Sequence, residues 1–91
     1  MSDSTPGAEE IFRIVRRNLL EVLPGLDAAE VTMDGRMSDL GANSIDRMDV
    51  VVSVMQELGV EVAPQKLVPA QDIRSLIDVL LEEVACARQA G

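Results

Sequence analysis

Apolar residues return at intervals of three and four in three separate stretches of this chain, and that spacing commits it to helices. In the first stretch Ile11, Ile14, Val15, Leu19, Val22 and Leu23 share one side, while Arg13, Arg16, Arg17 and Glu21 occupy the others. Pro24-Gly25 stops the run. In the second, Ile45, Met48, Val51, Met55 and Leu58 form a stripe behind Ser44, and Gly59 suits a C-terminal cap. The third is Ile73, Leu76, Ile77, Leu80 and Val84, set beside Arg74, Asp78 and Glu82 and preceded by Asp72, a residue type that caps helices. Met37, Met48 and Met55 offer an adaptable binding surface as one reading, but methionine at helical spacing is more often core filler, so Met48 is expected inside.

What joins these helices is shorter or less regular. Residues 24–43 hold Pro24, Gly25, Gly35 and Gly41 among scattered apolar side chains, a pattern that suits neither a strand nor a long helix. A connection longer than about 12 to 15 residues is unusual in a compact domain. Leu26, Val31 and Leu40 are therefore expected to pack this loop onto the bundle rather than leave it loose. Val60-Glu61-Val62 alternates like a strand but has no partner strand, so it reads as extended linker. Pro64 can open a short helical turn through Leu67, and Pro69 closes it. The expected fold is all-α: a small four-helix bundle of three main helices and one short one, with a long loop between the first two. The expected division is a loose tail over 1–8, one domain over 9–88 and a short tail over 89–91.

Composition removes several functions. The chain has 91 residues, 47% of them hydrophobic, yet Phe12 is the sole aromatic and His is absent. Without imidazole there is no unperturbed base near neutral pH, and one cysteine, Cys86, makes neither a disulfide framework nor a zinc site. Acidic and apolar neighbours around Cys86 disfavour a thiolate, so it is expected to be packed or idle. No catalytic residue and no metal ligand is assigned. Placing Gly35 at the glycine position of a calcium-binding loop puts Glu30, Thr32 and Gly41 where the first, third and last ligands belong, and that pattern fails. Asp34-Gly35 reads instead as a turn. The net charge of −8 repels nucleic acid over most of the surface and favours basic protein partners. The first residues lack a signal peptide, and no run approaches the roughly 18 apolar residues of a membrane span. A cytoplasmic, free-standing, monomeric protein that is not itself an enzyme is expected.

Ser44 is the residue that this elimination leaves in view. It stands where the loop Asp39-Leu40-Gly41-Ala42-Asn43 meets the second helix, and either it or Asn43 can cap that helix. The run Asp39-Leu40-Gly41 followed by Asn43-Ser44-Ile45 closely resembles the signature of acyl and peptidyl carrier proteins, Asp-x-Gly-x-Asp/Asn-Ser-Leu/Ile. The resemblance extends through "LGVEVAPQKL" to "DIRSLIDVLLEEV", and so covers nearly the whole domain. It implies that Ser44 carries phosphopantetheine, donated by coenzyme A, and that acyl groups travel on it as thioesters. Asn43 replaces the commoner aspartate of the family, which lowers the negative charge beside the site but keeps a capping group. A helix start suits a phosphodiester, because unpaired amides there favour an anion by about 0.3 to 1 kcal/mol.

Partner recognition is expected along the second helix, from Asn43, Ile45, Asp46, Arg47, Asp49 and Val52, a mixed acidic and apolar strip. Asp46 and Asp49 also favour the first turns of a helix in their own right. Arg47 interrupts the acids and narrows the partner set. The string "GANSIDR" resembles the stand-alone donor carriers of polyketide β-branching cassettes. That resemblance implies an acetyl group, formed by decarboxylation of malonyl and presented to a hydroxymethylglutaryl-CoA-synthase-like enzyme. The implied partners are a phosphopantetheinyl transferase, an acyltransferase, a ketosynthase-like decarboxylase and that synthase-like enzyme. A fatty-acid or modular-synthase carrier is the alternative within the family, and a helical protein-interaction domain without a prosthetic group is the alternative outside it.

Overall fold

The computed structural model describes residues 7–67, 69–70 and 72–90. The first six residues of the expected N-terminal tail, together with residues 68, 71 and 91, lie outside the described residues. Among the described residues four helices follow one another: α1 (Ala8–Val22), α2 (Ser44–Leu58), α3 (Pro64–Leu67) and α4 (Ile73–Ala90). The bundle is the all-α one expected, and among the described residues there is no strand. α4 runs on to Ala90, so residues 89 and 90 prolong the last helix.

The helices pack through the stripes that define them. α1 buries Ile11, Val15 and Leu19, and α4 buries Ile73, Leu76, Ile77, Leu80 and Val84. α1 touches both α2 and α4, and α3 leans on α4. Each fully buried aliphatic side chain of this kind contributes about 1.5 to 3 kcal/mol, so these stripes outweigh any local propensity. Asn18 is the exception in the core, 6% exposed. Its amide donates to the Ile14 carbonyl at 2.8 Å and to Glu57 Oε2 at 3.0 Å, and Arg17 pairs with the same carboxylate. Arg17 first and Asn18 second hold the Glu57 carboxyl below the usual range. α1 and the far end of α2 are thereby pinned together.

α2 corrects the sequence reading of its faces. Its buried residues are Val50, Val51 and Val54. Met48, expected in the core, is 53% exposed, and Ile45 beside it is 72% exposed. The helix carries two apolar stripes, and the β-branched valines are the ones turned into the core.

The long loop packs as expected, and the way it does so positions the start of α2. Val31 and Met37 are buried in the core, with Leu26 and Leu40 packed against it. Two short 3-10 turns, Ala28–Glu30 and Met37–Leu40, use up local backbone groups. The middle of the loop is tied to α4, whose first amides donate outward: Ile73 to the Gly35 carbonyl at 2.9 Å and Arg74 to the Met33 carbonyl at 2.8 Å. The Arg74 side chain pairs with Asp34 at 2.8 Å. Asp34-Gly35 is thus a turn that docks on α4. Asp72 caps that helix, accepting from the Ser75 amide at 2.9 Å.

Candidate functional site

Three backbone features deliver the residues at the head of α2. The 3-10 turn Met37–Leu40 ends at Gly41, whose φ of 100° lies in the left-handed region that glycine enters without a Cβ penalty. The chain then buries Ala42, which anchors the loop from below, and extends at Asn43 with φ −84° and ψ −175°. The helix begins at the next residue, Ser44.

Asn43, not Ser44, caps α2. Its side-chain oxygen accepts from the Asp46 amide at 2.8 Å, and its own amide donates to Asp46 Oδ2 at 3.3 Å. This reciprocal pair satisfies two donors at the helix start. The Ser44 hydroxyl is consequently free of capping duty. Ser44 is exposed, and its Oγ accepts a hydrogen bond of 3.2 Å from Arg47 Nη2, one turn along the helix. An exposed hydroxyl at a helix N-terminus with a guanidinium over it stands where negative charge is favoured.

A family model described as "Phosphopantetheine attachment site" matches residues 14–80. The polyketide biosynthesis acyl-carrier-protein AcpK of Bacillus subtilis (strain 168) is 30% identical over 79 residues, spanning 87% of this chain and 96% of that protein. The chain belongs to the acyl carrier proteins. An acyl carrier protein of Solidesulfovibrio magneticus is 34% identical over 74 residues, spanning 80% of this chain and 85% of the relative. One from Guillardia theta is 28% identical over 78 residues, spanning 85% and 95%. The prosthetic group of this family is phosphopantetheine, and its members carry groups rather than transform them.

The head of α2 fits that group in this carrier. A phosphate ester would need a hydroxyl that partner enzymes can reach and a donor that tolerates its charge; Ser44 is exposed, and Arg47 Nη2 lies 3.2 Å from its Oγ. The residues expected to guide partners divide by position. Ile45 and Asp49 are exposed, and Val52 is 37% exposed. Asp46 is half-buried and engaged with Asn43, so it shapes the helix start before it meets any partner. Arg47 is half-buried and turned back to Ser44. Met48, weighed as a binding-surface residue but expected inside, lies at intervals of three and four between Ile45 and Val52 and completes an exposed apolar stripe. Cys86 is exposed at the far end of the molecule, on the rim of an open groove also lined by Met55 and Val60.

Proposed function

We propose that Ser44 is the phosphopantetheine attachment site and that this carrier is a donor of acetyl groups in polyketide β-branching. The observation that carries the first half is that Asn43 caps α2 and leaves the Ser44 hydroxyl exposed and unused by the helix. Attachment joins the Ser44 oxygen to the phosphorus beside the pantetheine of coenzyme A. The hydroxyl proton passes to a base on the transferase, and the adenosine bisphosphate half leaves as its phosphoanhydride bond breaks. The group supplies a terminal thiol on a long arm, where an acyl group is held as a thioester at high effective concentration before a docked enzyme.

Docking falls to the exposed stripe of Ile45, Met48 and Val52, flanked by Asp49. Apolar contact supplies the adhesion, and the carboxylate, on a chain of net charge −8, steers a basic groove toward it. Asn43 and Asp46 form the Ser44 end of this surface, and Arg47 lies behind Ser44, turned back to it. The donor reading is supported by the string Gly41-Ala42-Asn43-Ser44-Ile45-Asp46-Arg47 and by a relative named for polyketide biosynthesis. Its partners are then an acyltransferase that loads malonyl, a ketosynthase-like decarboxylase that replaces the lost carbon dioxide with a proton, and a hydroxymethylglutaryl-CoA-synthase-like enzyme that accepts the acetyl group. We place the carrier and these partners in the cytoplasm; no described helix is long and apolar enough to cross a membrane.

The test loads the carrier with acetyl and offers it to such a synthase-like enzyme together with a β-ketoacyl carrier. Branched product formed in preference to that from a fatty-acid carrier supports the donor role. Equal poor transfer with both, alongside efficient malonyl elongation by a fatty-acid ketosynthase, would instead make this a general elongation carrier.

A further inference from the structure

Arg47 sits on a different face of α2 from the docking stripe. Val50, Val51 and Val54 follow it by three, four and seven positions, and all of them are buried. Arg47 therefore opens the inward stripe of the helix. Its side chain is accordingly half-buried, and its Nε is enclosed without a hydrogen-bond partner. Removing a cation from water is costly unless an anion or a full set of acceptors compensates. Among the described residues no anion does so, and while the exposed Nη2 donates to Ser44 Oγ, the enclosed Nε has no acceptor. Among the described residues no carboxylate pairs with Arg47: the ion pairs join Arg17 to Glu57, Lys66 to Glu83 and Arg74 to Asp34. Asp46, its neighbour in sequence, is turned to the Asn43 amide. In a chain with sixteen acidic residues against eight basic ones, this guanidinium is directed at one neutral oxygen, Ser44 Oγ.

We infer that Arg47 is the built-in counter-ion of a phosphodiester on Ser44, binding the root of the prosthetic arm to α2. The inference rests on Ser44 carrying the arm. A phosphate ester on the oxygen that Arg47 already contacts brings a permanent negative charge and further acceptors to a planar fork that matches phosphate geometry. The half-buried cation then gains the partner it lacks. Arg47 acts here as a positioning residue: the arm swings from beyond its phosphate rather than from the serine side chain, which narrows the region its thiol sweeps beside the docking stripe.

The test compares wild type, Arg47→Met and Arg47→Lys after incubation with coenzyme A, magnesium and a broad-specificity phosphopantetheinyl transferase. Intact mass first reports whether each chain carries the arm, and a wild type that gains no mass overturns the Ser44 reading and this inference together. On modified wild type the Arg47 guanidinium NMR signals should shift and gain protection from solvent exchange relative to the unmodified protein. Modification should raise the melting temperature by about 2 to 4 °C at low salt, an increment that shrinks as salt is added. The phosphorus line should be broad in wild type, narrower in Arg47→Met and intermediate in Arg47→Lys. Mass gain accompanied by unchanged Arg47 signals in wild type would overturn the inference while leaving the attachment site intact, and so would identical phosphorus lines and melting increments in all the variants. The wild-type comparison decides the matter even where a variant fails to fold.

Discussion

Replacing Asn43 with alanine removes the acceptor that holds the Asp46 amide at 2.8 Å, while the reverse bond, from the residue 43 amide to Asp46 Oδ2 at 3.3 Å, keeps its backbone donor. Half of the reciprocal pair is lost. Caps of this kind are worth about 0.5 to 2 kcal/mol. Asn43 is exposed, so water can partly replace the lost acceptor, and the surviving bond limits the damage. A cost of about 1 kcal/mol follows, which for a domain of this size lowers the melting temperature by about 4 to 8 °C. Asn43→Asp retains the acceptor and should lie within about 0.5 kcal/mol of wild type. Urea unfolding followed by circular dichroism separates these outcomes, with an unchanged denaturant slope because the surface exposed on unfolding is the same. An Asn43→Ala protein as stable as wild type would mean that Ser44 caps the helix instead and that its hydroxyl is not free.

The loop and the charges make further predictions. Met37, buried under the first turn before Gly41, should cost about 2 to 5 kcal/mol on replacement by alanine, read as a large fall in the urea midpoint; no fall would mean that the loop does not pack. Glu57, held down chiefly by Arg17 and then by Asn18, and Asp72, held down chiefly by Ser75, have carboxyls lowered in the folded state. Their contribution is therefore complete above the ordinary carboxylate range and is lost as pH falls through it to the lowered folded values. Thermal melts across that range should show a smaller acid loss for Glu57→Gln than for wild type, and parallel curves would contradict the assignment.

Helix positions were legible because stripe and punctuation agree. Gly59 stops α2 in a left-handed cap with φ 73°, Asp72 starts α4, and the bounds of α2 are those the sequence predicts. Packing of the loop was legible from Leu26, Val31 and Leu40. Its attachment to α4 was not, because the carbonyls of Met33 and Gly35 that accept from α4 are backbone groups with no side-chain signature. Met48 was misplaced for a different reason: spacing shows that a face is apolar, and α2 has two such faces, so only packing against α1 decides which is inside. At the site, both Asn43 and Ser44 are residue types that cap, and Asp46 is shorter than the glutamate or glutamine usual in the third helical position of a capping box. Spacing therefore could not divide the roles. The contact of 3.2 Å between Arg47 and Ser44 is a further feature that only the folded helix shows.

The most direct test of the central claim weighs the intact protein after incubation with coenzyme A, magnesium and a broad-specificity phosphopantetheinyl transferase, then repeats the measurement on Ser44→Ala. Since Asn43 provides the cap, Ser44→Ala should keep the helical circular dichroism of wild type. Wild type should gain the mass of one phosphopantetheine, localised to Ser44 by peptide fragmentation, and the folded mutant should gain nothing. An unmodified wild type, or a Ser44→Ala protein that gains the full mass, would contradict the account.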